Sequence, residues 1–90
     1  MQGSKKLLYA HYIQNFQILL IYQDEAVRVA DFNNMLQEDL GDFDDLKIEK
    51  NFKNFSIDKA FSTIEWNNGY DISPETLYEM SKLVKISLTG

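Results

Sequence analysis

The chain has 90 residues, 44% apolar and 13% aromatic, with no cysteine and a formal charge of −5. A chain this long supports one modest core, burying roughly 60–65% of the surface its unfolded form exposes. The missing cysteines exclude disulfides, thiol catalysis and thiolate zinc sites, and the negative charge gives phosphate-backbone binding no electrostatic support.

The longest apolar stretch, Ile18 to Tyr22, falls far short of the roughly 20 residues a membrane-spanning helix needs. Lys5 and Lys6 precede a run broken at once by His11 and Gln14, so no signal-peptide apolar region is present. A cytoplasmic protein is expected.

The first third reads as β-structure. Lys6–Ile13 and Phe16–Tyr22 are rich in Leu, Ile, Tyr and Phe, with Gln14-Asn15 as the polar pair between them. Phe16, Ile18, Leu20 and Tyr22 share one face at period two, and Gln17, Leu19, Ile21 and Gln23 share the other. A polar turn at Gln23-Asp24-Glu25 leads to a third strand over Ala26–Asp31, with Val27 and Val29 on one face and Arg28 on the other. Three such strands form an antiparallel meander.

The middle third changes period. Asp31 or Asn33 can cap a short helix holding Met35 and Leu36, and Gly41 is the simplest stop for it. In Asp42-Phe43-Asp44-Asp45-Leu46 three acids surround two apolar residues at i, i+3, which suits the first turn of a second short helix. Lys47, Lys50 and Lys53 follow with the complementary sign, and Phe52, Phe55 and Ile57 lead into a strand near Phe55–Asp58.

In the last third, Ser62–Trp66 alternates with β-branched and aromatic residues, and Tyr70-Asp71-Ile72 resumes after Asn67-Asn68-Gly69. Asn-Gly is the preferred pair for a type I′ loop, because both central residues need positive φ. Ser73-Pro74-Glu75 then opens a helix with an N-cap, a proline at the first position and an acid in the first turn. Leu77, Met80 and Val84, flanked by Tyr78 and Leu83, make one apolar stripe over about three turns, with Lys82 and Lys85 near its end. No repeat or linker divides the chain. A single α+β domain over residues 1–90 is expected, an antiparallel meander and a second β-hairpin packed with short helices and a C-terminal amphipathic helix.

Catalytic and ligand-holding motifs are absent from the sequence. His11 has no serine or cysteine partner at a recognisable spacing, and a lone strand histidine is usually structural or on the surface. The acids Glu38, Asp39, Asp42, Asp44 and Asp45 do not fit a calcium loop, since counting from Asp39 the glycine falls third instead of sixth. They read as helix caps and solvated surface, or as a docking patch for a basic partner. The glycines are isolated, so no phosphate-cradling loop forms. Trp66 and Tyr70 flank a tight turn, where they serve either as hairpin core or as interface anchors.

The run Thr63–Tyr78, with Trp66, Asn68-Gly69, Asp71, Pro74 and Leu77-Tyr78, resembles the C-terminal signature of the small bacterial family known as domain of unknown function 2442. Ile18–Phe32 looks like that family's N-terminal hairpin, and Phe43, Leu46 and Phe52 fall at its apolar positions, so the likeness covers about residues 8–78. Two departures stand out: Gln23-Asp24-Glu25-Ala26 replaces the family's Asp-Gly turn, calling for a longer or bulged loop, and Asn67 replaces a common proline. The resemblance implies a small α+β fold with no known enzymatic activity, and an antitoxin-like partner in a proposed toxin–antitoxin pair. Some relatives continue into a DNA-binding helix-turn-helix, for which the residues up to Gly90 leave no room.

The expectation is therefore a non-enzymatic protein-interaction domain with no cofactor and no metal. It would bind a small basic protein through Trp66, Asn68, Tyr70 and Asp71, or through Glu38, Asp39, Asp42, Asp44 and Asp45. A module for a small molecule or peptide, using an exposed strand edge, is the alternative. Neither nucleic acid nor membrane is expected as a partner, and an open sheet edge leaves a homodimer open.

Overall fold

A computed structural model describes residues 6–84. Its elements run β1 (Leu7–Tyr12), β2 (Gln17–Tyr22), β3 (Val27–Asp31), a 3-10 turn at Met35–Gln37 and a 3-10 helix at Gly41–Lys47. Then come α1 (Glu49–Phe52), β4 (Phe55–Asp58), β5 (Thr63–Trp66), α2 (Pro74–Met80) and β6 (Ser81–Leu83). One antiparallel sheet has the order β1-β2-β3-β6, and β4-β5 form a second. The fold is α+β, with the expected meander extended by a fourth strand.

The turns depart from expectation in an instructive way. The β1–β2 turn closes with the Gln17 N–H donating to the Gln14 carbonyl at 2.9 Å, and its central residues Asn15 and Phe16 have φ of 50° and 61°. This is the type I′ geometry expected at Asn68-Gly69. Phe16 thus belongs to the turn and not to the strand. Its ring packs edge-on against Phe52 at 5.0 Å, which helps hold a conformation that L residues seldom adopt. At β2–β3 the expected bulged loop is present: Tyr22 N–H donates to the Ala26 carbonyl at 3.0 Å, and Glu25 takes φ 70°.

The loop after β5 has three residues. Trp66 N–H donates to the Tyr70 carbonyl at 2.8 Å and Gly69 N–H to the Trp66 carbonyl at 2.9 Å, while only Gly69 has positive φ, 95°. That corrects the two-residue reading; a turn ending in a left-handed glycine makes the same reversal with one more residue. The strand partner also differs. β5 pairs along its length with β4, and Tyr70–Ile72 adds only the isolated bridge Glu65–Asp71.

Helix α2 begins as its sequence demands, with the Ser73 hydroxyl accepting from the Thr76 N–H at 3.2 Å and Pro74 first in the helix. It ends at Met80, not at Val84. Arg28 decides this: its guanidinium donates to the Ser81 hydroxyl (2.6 Å) and the Ser81 carbonyl (2.9 Å), and lies 4.0 Å over the Tyr78 ring. Held this way, Ser81–Leu83 pairs with Arg28–Ala30 as an edge strand. Lys82 therefore lies on a strand, and Lys85 lies outside the described residues. Gly41, expected to stop a helix, opens the 3-10 helix at φ 61°. No side-chain cap precedes Met35; Asp31 instead accepts from the Asn33 N–H at 2.9 Å.

The core lies between the inner face of the larger sheet (Leu7, Ile18, Leu20, Tyr22, Ala30) and Phe32, Leu46, Phe52, Ile64, Trp66 and Leu77. Phe32 and Phe52 are fully buried, whereas Phe16 and Phe55 pack against the core from its margin. Burying side chains of this size stabilises by about 1.5–3 kcal/mol each, the main force holding the two sheets together.

Candidate functional site

The acidic segment is shaped by its own carboxylates. Asp39 accepts from the Gly41 N–H and Asp44 from the Leu40 N–H, both at 2.8 Å, which satisfies backbone donors that the first turn leaves free. The Leu40 N–H holds the Asp44 carboxyl below its ordinary pKa, assisted by Lys47 at 3.2 Å. Leu46 anchors the segment in the core, and Phe43 tilts against Tyr70 with ring centroids 5.2 Å apart. Glu38 and Asp42 are exposed.

The next carboxylate joins this segment to the loop after β5. Asn68 donates from its side-chain amide to Asp45 Oδ1 at 2.7 Å, while its own carbonyl oxygen accepts from the Tyr70 N–H at 3.0 Å. Asn51 donates to the Asp45 backbone carbonyl at 3.0 Å, and the Asn67 N–H donates to the Asn54 carbonyl at 3.0 Å. The result is a cleft of about 70 Å³ lined by Asp45, Leu46, Asn51, Asn54, Asn67 and Asn68. That is room for several waters or one planar head group. Its lining holds one carboxylate, Asp45, four asparagines and no basic side chain, so a positively charged group suits it best.

The structure thus brings Asp45, Asn68 and Tyr70 together with the acidic run, and leaves Asp71 exposed beside them, opposite Glu65. Trp66 does not reach this surface. It is 2% exposed, its indole N–H donates to the Phe52 carbonyl at 2.7 Å, and its ring meets Phe32 and Phe52 within 6 Å. As a contact residue Trp66 is corrected to a core residue that holds the loop from beneath. Asn51, Asn54 and Asn67 are not among the site residues expected from the sequence. Their only signal there is a scatter of asparagines at element ends, which turn chemistry explains equally well.

His11 is exposed and stacks on Tyr9 at 6.3 Å. Among the described residues no group of His, Asp and Glu side chains is arranged to hold a metal ion, and no helix is long and apolar enough to cross a membrane.

A comparison with curated proteins and with solved structures gives no match. A family model does match, over residues 9–82, which takes in the meander, the acidic segment, the asparagine cleft and α2. The chain belongs to the DUF2442 family of proteins of unknown function.

Proposed function

We propose that the chain is a non-enzymatic protein-interaction domain that docks a small basic protein on the surface formed by the acidic segment and the loop after β5, as the antitoxin-like half of a toxin–antitoxin pair. The observation that carries the reading is the Asp45–Asn68 hydrogen bond, 2.7 Å. It makes one surface of two segments 23 residues apart. Between Glu38 and Lys47 that surface holds five carboxylates against one lysine, a field that attracts and orients a cationic partner. The cleft beside Asp45 sets that carboxylate among asparagine side chains, chemistry that suits an arginine of the partner as an interface anchor.

Tagged chain purified from its native host at native expression level tests this. The expected result is one stoichiometric partner with a basic isoelectric point, released by salt and lost when Asp42, Asp44 and Asp45 are replaced by asparagine. A partner that is acidic, or that binds the triple variant equally well, overturns the proposal.

A further inference from the structure

Of the chain's seven asparagines, Asn68 alone precedes a glycine. After each of the others a side chain shields the next backbone nitrogen; Gly69 has none. Asn68 and Gly69 are both exposed, so water and hydroxide reach them. This pairing favours deamidation. The Gly69 nitrogen gives up its proton and attacks the carbonyl carbon of the Asn68 side chain. A carbon–nitrogen bond forms, the side-chain nitrogen leaves with a proton as ammonia, and a five-membered succinimide closes. Water then opens the ring at either carbonyl and returns a proton to the Gly69 nitrogen, leaving aspartate or isoaspartate. One water is consumed and one ammonia released.

In the folded loop the groups that must react are all engaged. The leaving nitrogen donates to Asp45 Oδ1 at 2.7 Å, and the side-chain oxygen accepts from the Tyr70 N–H at 3.0 Å. The attacking nitrogen is tied as well, since the Gly69 N–H donates to the carbonyl of buried Trp66 at 2.9 Å. Ring closure turns the Asn68 side chain onto Gly69 and removes the Gly69 proton, so these bonds open first. Of the three, the bond to Asp45 is the one made to a charged acceptor. It is also the one that reaches across 23 residues of sequence.

We propose that Asn68-Gly69 is a deamidation site kept closed by Asp45, and that its reaction turns the tie between the loop and the acidic segment into a repulsion. The amide that donates to Asp45 becomes a carboxylate, which has no proton to donate. Two like charges then stand where a hydrogen bond stood. Isoaspartate also reroutes the backbone through the side-chain carbons, which disturbs the closure of Trp66 on Tyr70. The loss of the docking surface that follows rests on the function proposed above; the chemistry and its control by Asp45 do not.

The full chain, incubated alone at mildly alkaline pH, tests this. Mass mapping of the peptide that holds Asn68 follows conversion with time. The folded chain is expected to convert at least about tenfold more slowly than the same chain unfolded in guanidinium chloride. Asp45→Ala, a replacement at an exposed position, should speed conversion of the folded chain by about threefold to tenfold. Ser73→Ala weakens the fold without touching the loop, and should leave the rate within about twofold. Asn68→Asp, the product made directly, should show faster hydrogen exchange at the Asn67 amide, which donates to the Asn54 carbonyl. Conversion as fast in the folded chain as in the unfolded one overturns the proposal. So does an Asp45→Ala rate equal to that of the unchanged chain, a Ser73→Ala rate raised as far as that of Asp45→Ala, or an Asn67 amide that exchanges no faster in Asn68→Asp. Every readout is taken without a partner, so failure here is distinct from failure to find the basic protein.

Discussion

Tyr22 is buried at 2% exposure with a hydroxyl that has no hydrogen-bond partner among the described residues. Burial pushes its pKa up to about 12, because the charged phenolate is the form a dry site disfavours. The folded value lies above the ordinary one near 10, so this contribution to stability is complete below about pH 10 and lost as pH rises through 12. Tyr22→Phe is expected to gain up to about 1 kcal/mol at neutral pH, since an unpaired buried hydroxyl is a cost. It should also flatten the alkaline limb of the stability profile, read from urea unfolding at pH 7 and above 10. Glu25 also carries a local cost, held at φ 70° on an exposed loop. Glu25→Gly removes that strain and is expected to raise stability by about 1 kcal/mol, visible as a higher urea midpoint at unchanged slope.

At the scale of elements, α2 and β6 show how one side chain redirects a segment. The apolar stripe through Val84 reads as a longer helix, yet the Arg28 guanidinium captures the Ser81 carbonyl and hydroxyl and turns the chain into the sheet. Arg28→Met is expected to cost about 2 kcal/mol, because hydrogen bonds from a charged donor are lost, and to expose the Val84 amide to rapid hydrogen exchange. Ser73→Ala, which deletes the cap at the other end, should cost about 1 kcal/mol. The meander, β4, β5 and the start of α2 were legible in the sequence because alternation and caps are local signals. The end of α2 was not, since Arg28 lies 53 residues from Ser81. The acidic segment was legible residue by residue. Its cleft was not, because Asn51, Asn54 and Asn67 line it only after the loop closes on Asn54.

For the whole molecule, one aromatic core joins the two sheets. Trp66 sits beneath the loop after β5 and against Phe32 at the end of the larger sheet. Trp66→Phe leaves the Phe52 carbonyl without its donor and is expected to cost about 1–3 kcal/mol in a denaturant titration. The acids between Glu38 and Asp45 by themselves equal the formal charge of −5, so salt should weaken the proposed basic-partner interaction.

The central claim is that the Asp45–asparagine cleft receives a cationic side chain, and nuclear magnetic resonance reads it directly. The side-chain amide signals of Asn51, Asn54, Asn67 and Asn68 are followed while N-acetyl-arginine methylamide, and separately its lysine counterpart, is added. The arginine probe should move these signals together, the lysine probe should move them less, and Asp45→Asn should abolish the response. Signals that stay in place with arginine, or move equally in the Asp45→Asn chain, would contradict it.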